Sequence, residues 1–247
     1  MDNFNFNSRN TNVNNLQGVS VESTRSLFAS VFTWMFIALG ITTLCSLLFA
    51  YNPALGQLLY SADETGRIHT SIIGWVVMLA PLGLVLLMNF AFNKLSFIAL
   101  IAIFFLFSAL FGISLSSIFY RYSIDSIGTV FASTCALFGV MAVAGYTTKA
   151  DLTKMGSLLT IGLIGIVIAS LINMFMRSDS MGYIISIISV VIFTGLTAYD
   201  VQKIKELSQQ NNGTADFKKM GVMGALTLYL DFINLFLALL RIFGKRD

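Results

Sequence analysis

Charge is what this sequence lacks most. Of its 247 residues only 11% are Asp, Glu, Lys or Arg, against 56% hydrophobic, and the mean hydropathy is +0.81. A soluble domain carries roughly 25% charged residues. So few charges cannot cover a globular surface, and the composition indicates an integral membrane protein whose main partner is the lipid bilayer. The net charge of +3 supplies no basic patch or stripe, so nucleic acid is not expected as a partner. Cysteine is scarce as well. Cys45 and Cys135 both lie in apolar runs without a CxxC, which suggests neither a disulfide framework nor a metal site. They read as small core or lipid-facing residues. Histidine occurs once, as His69 in a polar loop, and the chain shows no HExxH, GxSG or P-loop glycine pattern. No enzyme activity and no cofactor are therefore expected. The first apolar run is too long for a signal h-region and is expected to remain as a membrane helix.

What the chain does have is apolar runs of membrane length, for which about 20 residues suffice. Seven occur, at about Ser26–Tyr51, Thr70–Phe92, Leu95–Tyr120, Ser126–Thr148, Met155–Met176, Met181–Val201 and Met220–Phe243. The loops between them are short, and no internal repeat is evident. Residues 1–25, polar and rich in asparagine, are expected as a disordered tail. Residues 26–247 are expected as a single all-α domain, a seven-transmembrane-helix bundle.

Basic residues orient the bundle. Arg9, Arg25, Lys94, Lys149, Lys154, Lys203, Lys205, Lys218 and Lys219 fall on one side, and Arg67, Arg121, Arg177, Arg241, Lys245 and Arg246 on the other. The excess places the N-terminus in the cytoplasm. The C-terminal "RIFGKRD" opposes that rule if the last run crosses fully, and agrees with it if that run is re-entrant. The "GLIG" (Gly162, Gly165) and "GVMG" (Gly221, Gly224) pairs mark close helix packing. Pro81 should free a carbonyl inside the second helix, where it would be available to line a cavity.

Two aspartates break the apolar pattern. Asp231 lies near the middle of the last run, "LTLYLDFINLFLALL", and Asp200 near the end of the sixth, "FTGLTAYDVQKIKEL". A carboxylate in a membrane helix costs roughly 2.5–3.5 kcal/mol on insertion scales and usually marks an ion or proton path. At helical spacing Asp231 shares a face with Thr227 and Asn234. Thr197 and Tyr199 accompany Asp200, with Gln202 beside it. The short connection between the last two helices makes them antiparallel neighbours, which allows the aspartates to approach. Two carboxylates in low dielectric do not both stay charged. They share a proton or bind a cation, and a hard ion such as calcium competes with protons for the same oxygens. Apart from Arg241 near the far end of the last run, no Lys, Arg or His falls within the expected spans to neutralise them. The bland reading is a neutral carboxyl hydrogen-bonded to another helix. An intramembrane aspartyl protease is a further reading, but "YLDFIN" lacks the GxGD pattern such enzymes show.

The stretch "FTGLTAYDVQKIK" resembles the Bax inhibitor-1/YccA family of transmembrane Bax-inhibitor-motif proteins, in particular its bacterial branch. So do "FSALFGISLSSIF", "GYTTKADLTKMGSLL" and "LYLDFINLFLALLRIFG", and the similarity runs from about Val21 onward. The resemblance implies seven helices with the last at the centre, surrounded by the other six, and an aspartate pair mapping onto Asp200 and Asp231. It implies a pH-sensitive calcium leak in a bacterial inner membrane. It also carries the alternative of a regulator that binds a membrane-bound AAA protease or other membrane partner without ion flux. Eukaryotic relatives are linked to suppression of cell death. Two departures stand out: Phe111 precedes Gly112 where many members carry an acidic residue, and the second helix has no basic residue to face the aspartates.

Overall fold

Each of the seven apolar runs forms a helix, because backbone N–H and C=O groups in lipid must satisfy one another within the segment. The computed structural model of the chain describes residues 7–62, 68–210 and 215–245. In chain order it comprises α1 (Asn7–Tyr51), α2 (Pro53–Leu59), β1 (Tyr60–Ala62), β2 (Ile68–Thr70), α3 (Ile72–Phe90), α4 (Phe97–Leu115), α5 (Ile124–Thr147), α6 (Thr153–Met176), α7 (Asp179–Gln210) and α8 (Ala215–Phe243). A 3-10 turn, Ser116–Tyr120, extends α4. All but α2 are long and apolar enough to cross a membrane. Serine caps start two of them: Ser71 Oγ accepts the Gly74 N–H at 3.0 Å, and Ser96 Oγ accepts the Ala99 N–H at 3.2 Å.

Three features depart from the sequence reading. The loop from Asn52 to His69 is partly structured. Asn52 caps α2, and β1 pairs antiparallel with β2 in the register Tyr60 to Thr70. These pieces are too short to leave a periodic signal. The first helix starts at Asn7, inside the stretch expected as a disordered tail, and residues 1–6 lie outside those described. The sixth membrane helix, α7, continues past Val201 to Gln210. Its register therefore carries Lys203 and Lys205 on the same helix as Asp200.

The last helix is the core. Buried residues fill 72% of the apolar window of α8, against 6% for α6. Its main neighbours are α1, α4, α5 and α7, whereas α3 packs on α4 and α6 packs on α7. Four helices, not six, thus form the main wall around it. Tyr229 locks this centre. Its hydroxyl hydrogen-bonds Thr42 Oγ1 at 2.7 Å, Thr42 donates to the Ser108 carbonyl at 2.9 Å, and its ring meets Phe104, Phe107 and Phe111 edge-on.

Contacts at its two ends show that α8 runs the full depth of the bundle. Lys219 Nζ lies 5.5 Å from the centre of the Phe92 ring at one end, and the Lys245 N–H reaches Ser126 Oγ at 2.9 Å at the other. The helix runs from one end of the bundle to the other without turning back, as a re-entrant segment would. Thr24 of α1 bonds Ser208 of α7 at the Lys219 end, hereafter the N-face. The opposite end is the C-face.

Close approach is set by glycine, though not always where the paired motifs suggest. A Cβ on Gly112 would strike the Thr42 backbone, and one on Gly145 would strike the Ala198 carbonyl. Gly221 and Gly224 do pack on α1, and Gly162 meets Ile192, but Gly165 faces open space. Helix α3 passes through Pro81 without a break. The Val77 carbonyl, which the proline leaves without its helical donor, receives Ser114 Oγ from α4 at 3.1 Å. That carbonyl is therefore a helix–helix contact and not a cavity lining.

Gly145→Val is expected to destabilise the bundle by about 1–3 kcal/mol through overpacking. Gly165→Ala should be neutral or mildly stabilising, since alanine is the better helix former by about 1 kcal/mol. Thermal melts of the two variants in detergent check the contrast. Equal melting points would contradict the α5–α7 contact described here.

Candidate functional site at the Asp200–Asp231 pair

Helices α7 and α8 make the most extensive contact in the bundle, and the aspartates meet across it. The Asp200 and Asp231 carboxyls hydrogen-bond each other. Two carboxyl groups form such a bond only when one of them carries a proton, because an ionised carboxylate only accepts. Asp231 is 4% exposed. Its Oδ2 has no hydrogen-bond partner among the described residues, and a buried acceptor left in that condition costs free energy.

Asp200 is half-buried and lines a cavity of about 210 Å³ on the N-face, together with Leu27, Phe92, Lys203, Met220, Met223 and Thr227. Lys203 is exposed and interacts electrostatically with Asp200. The sequence reading found no cation inside a span. The continuation of α7 supplies one a single turn beyond the carboxyl.

The supporting residues divide. Thr227 shares the cavity with Asp200, although its hydroxyl donates to the Met223 carbonyl at 3.1 Å. Thr197 is fully buried and donates to the Phe193 carbonyl at 2.7 Å. Asn234 donates to the Leu230 carbonyl at 2.8 Å. Both therefore satisfy their own helices. Tyr199 turns away toward α6, where its ring covers Gly156. Of the candidate residues, the structure brings together Asp200, Asp231 and Thr227.

Calcium takes six to eight oxygen ligands. The pair and the Thr227 hydroxyl supply part of such a set, and no group of three or more His, Cys, Asp or Glu side chains occurs among the described residues. The donors fit a cation that keeps much of its water.

Beside the pair, α7 holds the loop between α5 and α6. Buried Gln202 donates through Nε2 to the Ala150 carbonyl at 2.8 Å and accepts the Leu152 N–H at Oε1 at 2.9 Å. Lys205 Nζ donates to the Tyr146 carbonyl at 2.7 Å and lies 4.9 Å from the centre of that ring. In the loop itself, hydrogen bonds to Thr153 hold the Asp151 carboxyl below the usual carboxylate range. Sequence reasoning noted Gln202 only as a neighbour and missed Lys205. The available signal was their spacing of two and five residues past Asp200 on one helix.

Comparison with known proteins places these residues in context. Residues 24–247 match the family described as inhibitor of apoptosis-promoting Bax1. The inner membrane protein YbhL of Escherichia coli K12 is 42% identical over 224 residues, covering 90% of this chain and 92% of that protein. An uncharacterised protein of Borreliella burgdorferi is 45% identical over 88% of this chain and 91% of its own length. One of Rickettsia prowazekii is 36% identical over 91% and 92%.

Gln202→Ala removes both loop bonds and should cost about 1–3 kcal/mol, since each hydrogen bond contributes about 0.5–1.5 kcal/mol net. Hydrogen–deuterium exchange is expected to accelerate in the segment containing Leu152, and unchanged exchange there would refute the clamp.

Proposed function

The chain belongs to the family of inhibitors of apoptosis-promoting Bax1, and from that membership and the aspartate pair we propose that it is a pH-sensitive calcium leak of a bacterial inner membrane. The observation that carries this reading is the hydrogen bond between two intramembrane carboxyls, Asp200 and Asp231, at the edge of a cavity reached from one face. Such a pair exchanges a proton for a cation, because ligating carboxylates must be deprotonated. Acidification returns the proton, so calcium binding should fall as pH falls. Thr227 adds a neutral oxygen beside Asp200. Asn234, Thr197 and Tyr199 support the helices that carry the pair and are not ligands.

Calcium entry into dye-loaded liposomes containing the purified protein should exceed that into empty liposomes at neutral pH and decline at acidic pH. In Asp200→Asn and Asp231→Asn the pH dependence should flatten. A folded protein that gives no flux above the lipid background would overturn the leak. It would leave the regulatory reading, with an AAA protease or other membrane partner and the aspartates as structural hydrogen-bonding groups.

We further place the N-face, which holds the larger share of basic residues in the sequence, in the cytoplasm. Because α8 crosses fully, the C-terminus then lies outside. An alkaline phosphatase fused after Asp247 should be active in a bacterial host and a fluorescent protein at the same point dark. The reverse pattern would invert the topology.

A further inference from the structure

A second cavity lies at the opposite end of the molecule and has no part in the aspartate pair. It is a groove of about 570 Å³ on the C-face, between the start of α5 and the end of α8. Asp125, Thr129 and Ser133 line one wall, Leu239 and Phe243 the other, and Lys245 stands with them. Asp125, Thr129 and Ser133 are spaced four apart and therefore form one stripe descending α5.

The groove is built, not incidental. Lys245 follows the end of α8, and its backbone is fastened to the first turn of α5 twice. Its N–H donates to Ser126 Oγ at 2.9 Å, and its carbonyl accepts the Ser123 N–H at 3.3 Å. Those bonds hold a lysine beside Asp125, yet the ion pair found among the described residues is a different one, Lys219 with Asp216. Asp125 and Lys245 therefore present opposite charges to the same space without neutralising each other. The hydroxyls below them have already committed their protons. Thr129 donates to the Asp125 carbonyl at 2.8 Å, and Ser133 donates to the Thr129 carbonyl at 2.9 Å. Their remaining lone pairs line the groove as acceptors.

A groove on the flank of a membrane bundle is filled by the bilayer, and its chemistry selects among head groups. The acceptor stripe and Asp125 call for a cation with N–H donors. Lys245 calls for an anion, and Leu239 and Phe243 for an acyl chain. We propose that this groove binds a phospholipid with a zwitterionic, primary-ammonium head group, its ammonium at Asp125 and its phosphate at Lys245. A trimethylated ammonium has no N–H to donate, and a glycerol head group has no cation, so neither satisfies both walls.

The test uses full-length, delipidated protein in detergent, titrated with dioleoylphosphatidylethanolamine, dioleoylphosphatidylcholine or dioleoylphosphatidylglycerol, with bound lipid counted by native mass spectrometry. The ethanolamine lipid should bind roughly tenfold more tightly than the other two, the scale of a charge-assisted hydrogen bond. Asp125→Asn and Lys245→Ala should each erase that preference, while Lys154→Ala, on the N-face, should keep it. Melting of each variant without added lipid confirms that the fold is intact. Equal binding of the three lipids would overturn the proposal, as would a preference that survives both substitutions. Displacement by soluble glycerophosphoethanolamine at concentrations equal to the lipid would also overturn it, because the site would then read a free head group and not a membrane lipid.

Discussion

Asp231 is the constraint around which the bundle is arranged. A carboxyl in the middle of an apolar helix is poorly tolerated against lipid, so the helix that bears it must be enclosed by protein. Enclosure explains the position of α8, the most buried of the seven spans, with α1, α4, α5 and α7 around it. It also explains the partner. Asp200 of α7 meets Asp231 across the interface, where two charges in a low dielectric would repel unless one carboxyl carried a proton. The glycines then follow from the geometry. Helices that surround a central one must also close on each other, and Gly112 against α1 and Gly145 against α7 let backbones approach where any side chain would separate them.

The polar residues of the spans sort by the same logic. Hydroxyls in lipid or in a tight core bond their own helices, as Thr197, Ser108 and Ser133 do. Others cross between helices. Ser114 reaches the Val77 carbonyl that Pro81 leaves free, and Tyr229 links α8 to α1 through Thr42. The N-face end of α7 adds Gln202 and Lys205, which bind backbone carbonyls of α5 and the following loop. The residues around Asp200 thus hold α7 in a fixed position relative to α5, while α3 and α6 pack mainly on single neighbours.

Much of this was legible in the sequence because lipid imposes a simple code. Length and hydropathy placed seven spans, and a charge inside a span marked Asp231. The boundary of the sixth helix was not legible, because the apolar signal stops near Val201 although hydrogen bonding carries α7 to Gln210. That boundary left Lys203 and Lys205 as loop residues orienting the bundle, and not as part of the helix that carries Asp200. The polar stripe on α8 misled in the same way. Spacing put Thr227 and Asn234 on the face of Asp231, but spacing does not say whether a side chain reaches across the interface or returns to its own carbonyl. The close contacts at Gly112 and Gly145 left no doublet to read, whereas Gly165, which had one, touches nothing within 4 Å. The β-ribbon and α2 depend on turns and caps and not on periodicity.

The two cavities lie at opposite ends of α8, and the stretch between them is closed. On the C-face side of Asp231 the helix presents Phe232, Leu235, Phe236 and Leu239, all buried, and Phe131 and Phe138 meet two of these rings edge-on. The cavity at Asp200 opens to the N-face without reaching past them. The arrangement thus seats the carboxyl pair between the helices, beside the cavity on the N-face and behind packed aromatic rings toward the C-face. On the leak proposed above, conduction would require α8 to part from a neighbour along this aromatic stretch. The Tyr229–Thr42 bond and the glycine contact of α5 with α7 oppose that movement on two sides. Loss of the shared proton supplies a force in the opposite direction, since two adjacent carboxylates repel until water or a cation enters between them. Under that proposal, the pair that holds α7 and α8 together when one carboxyl is protonated would drive them apart when both are ionised.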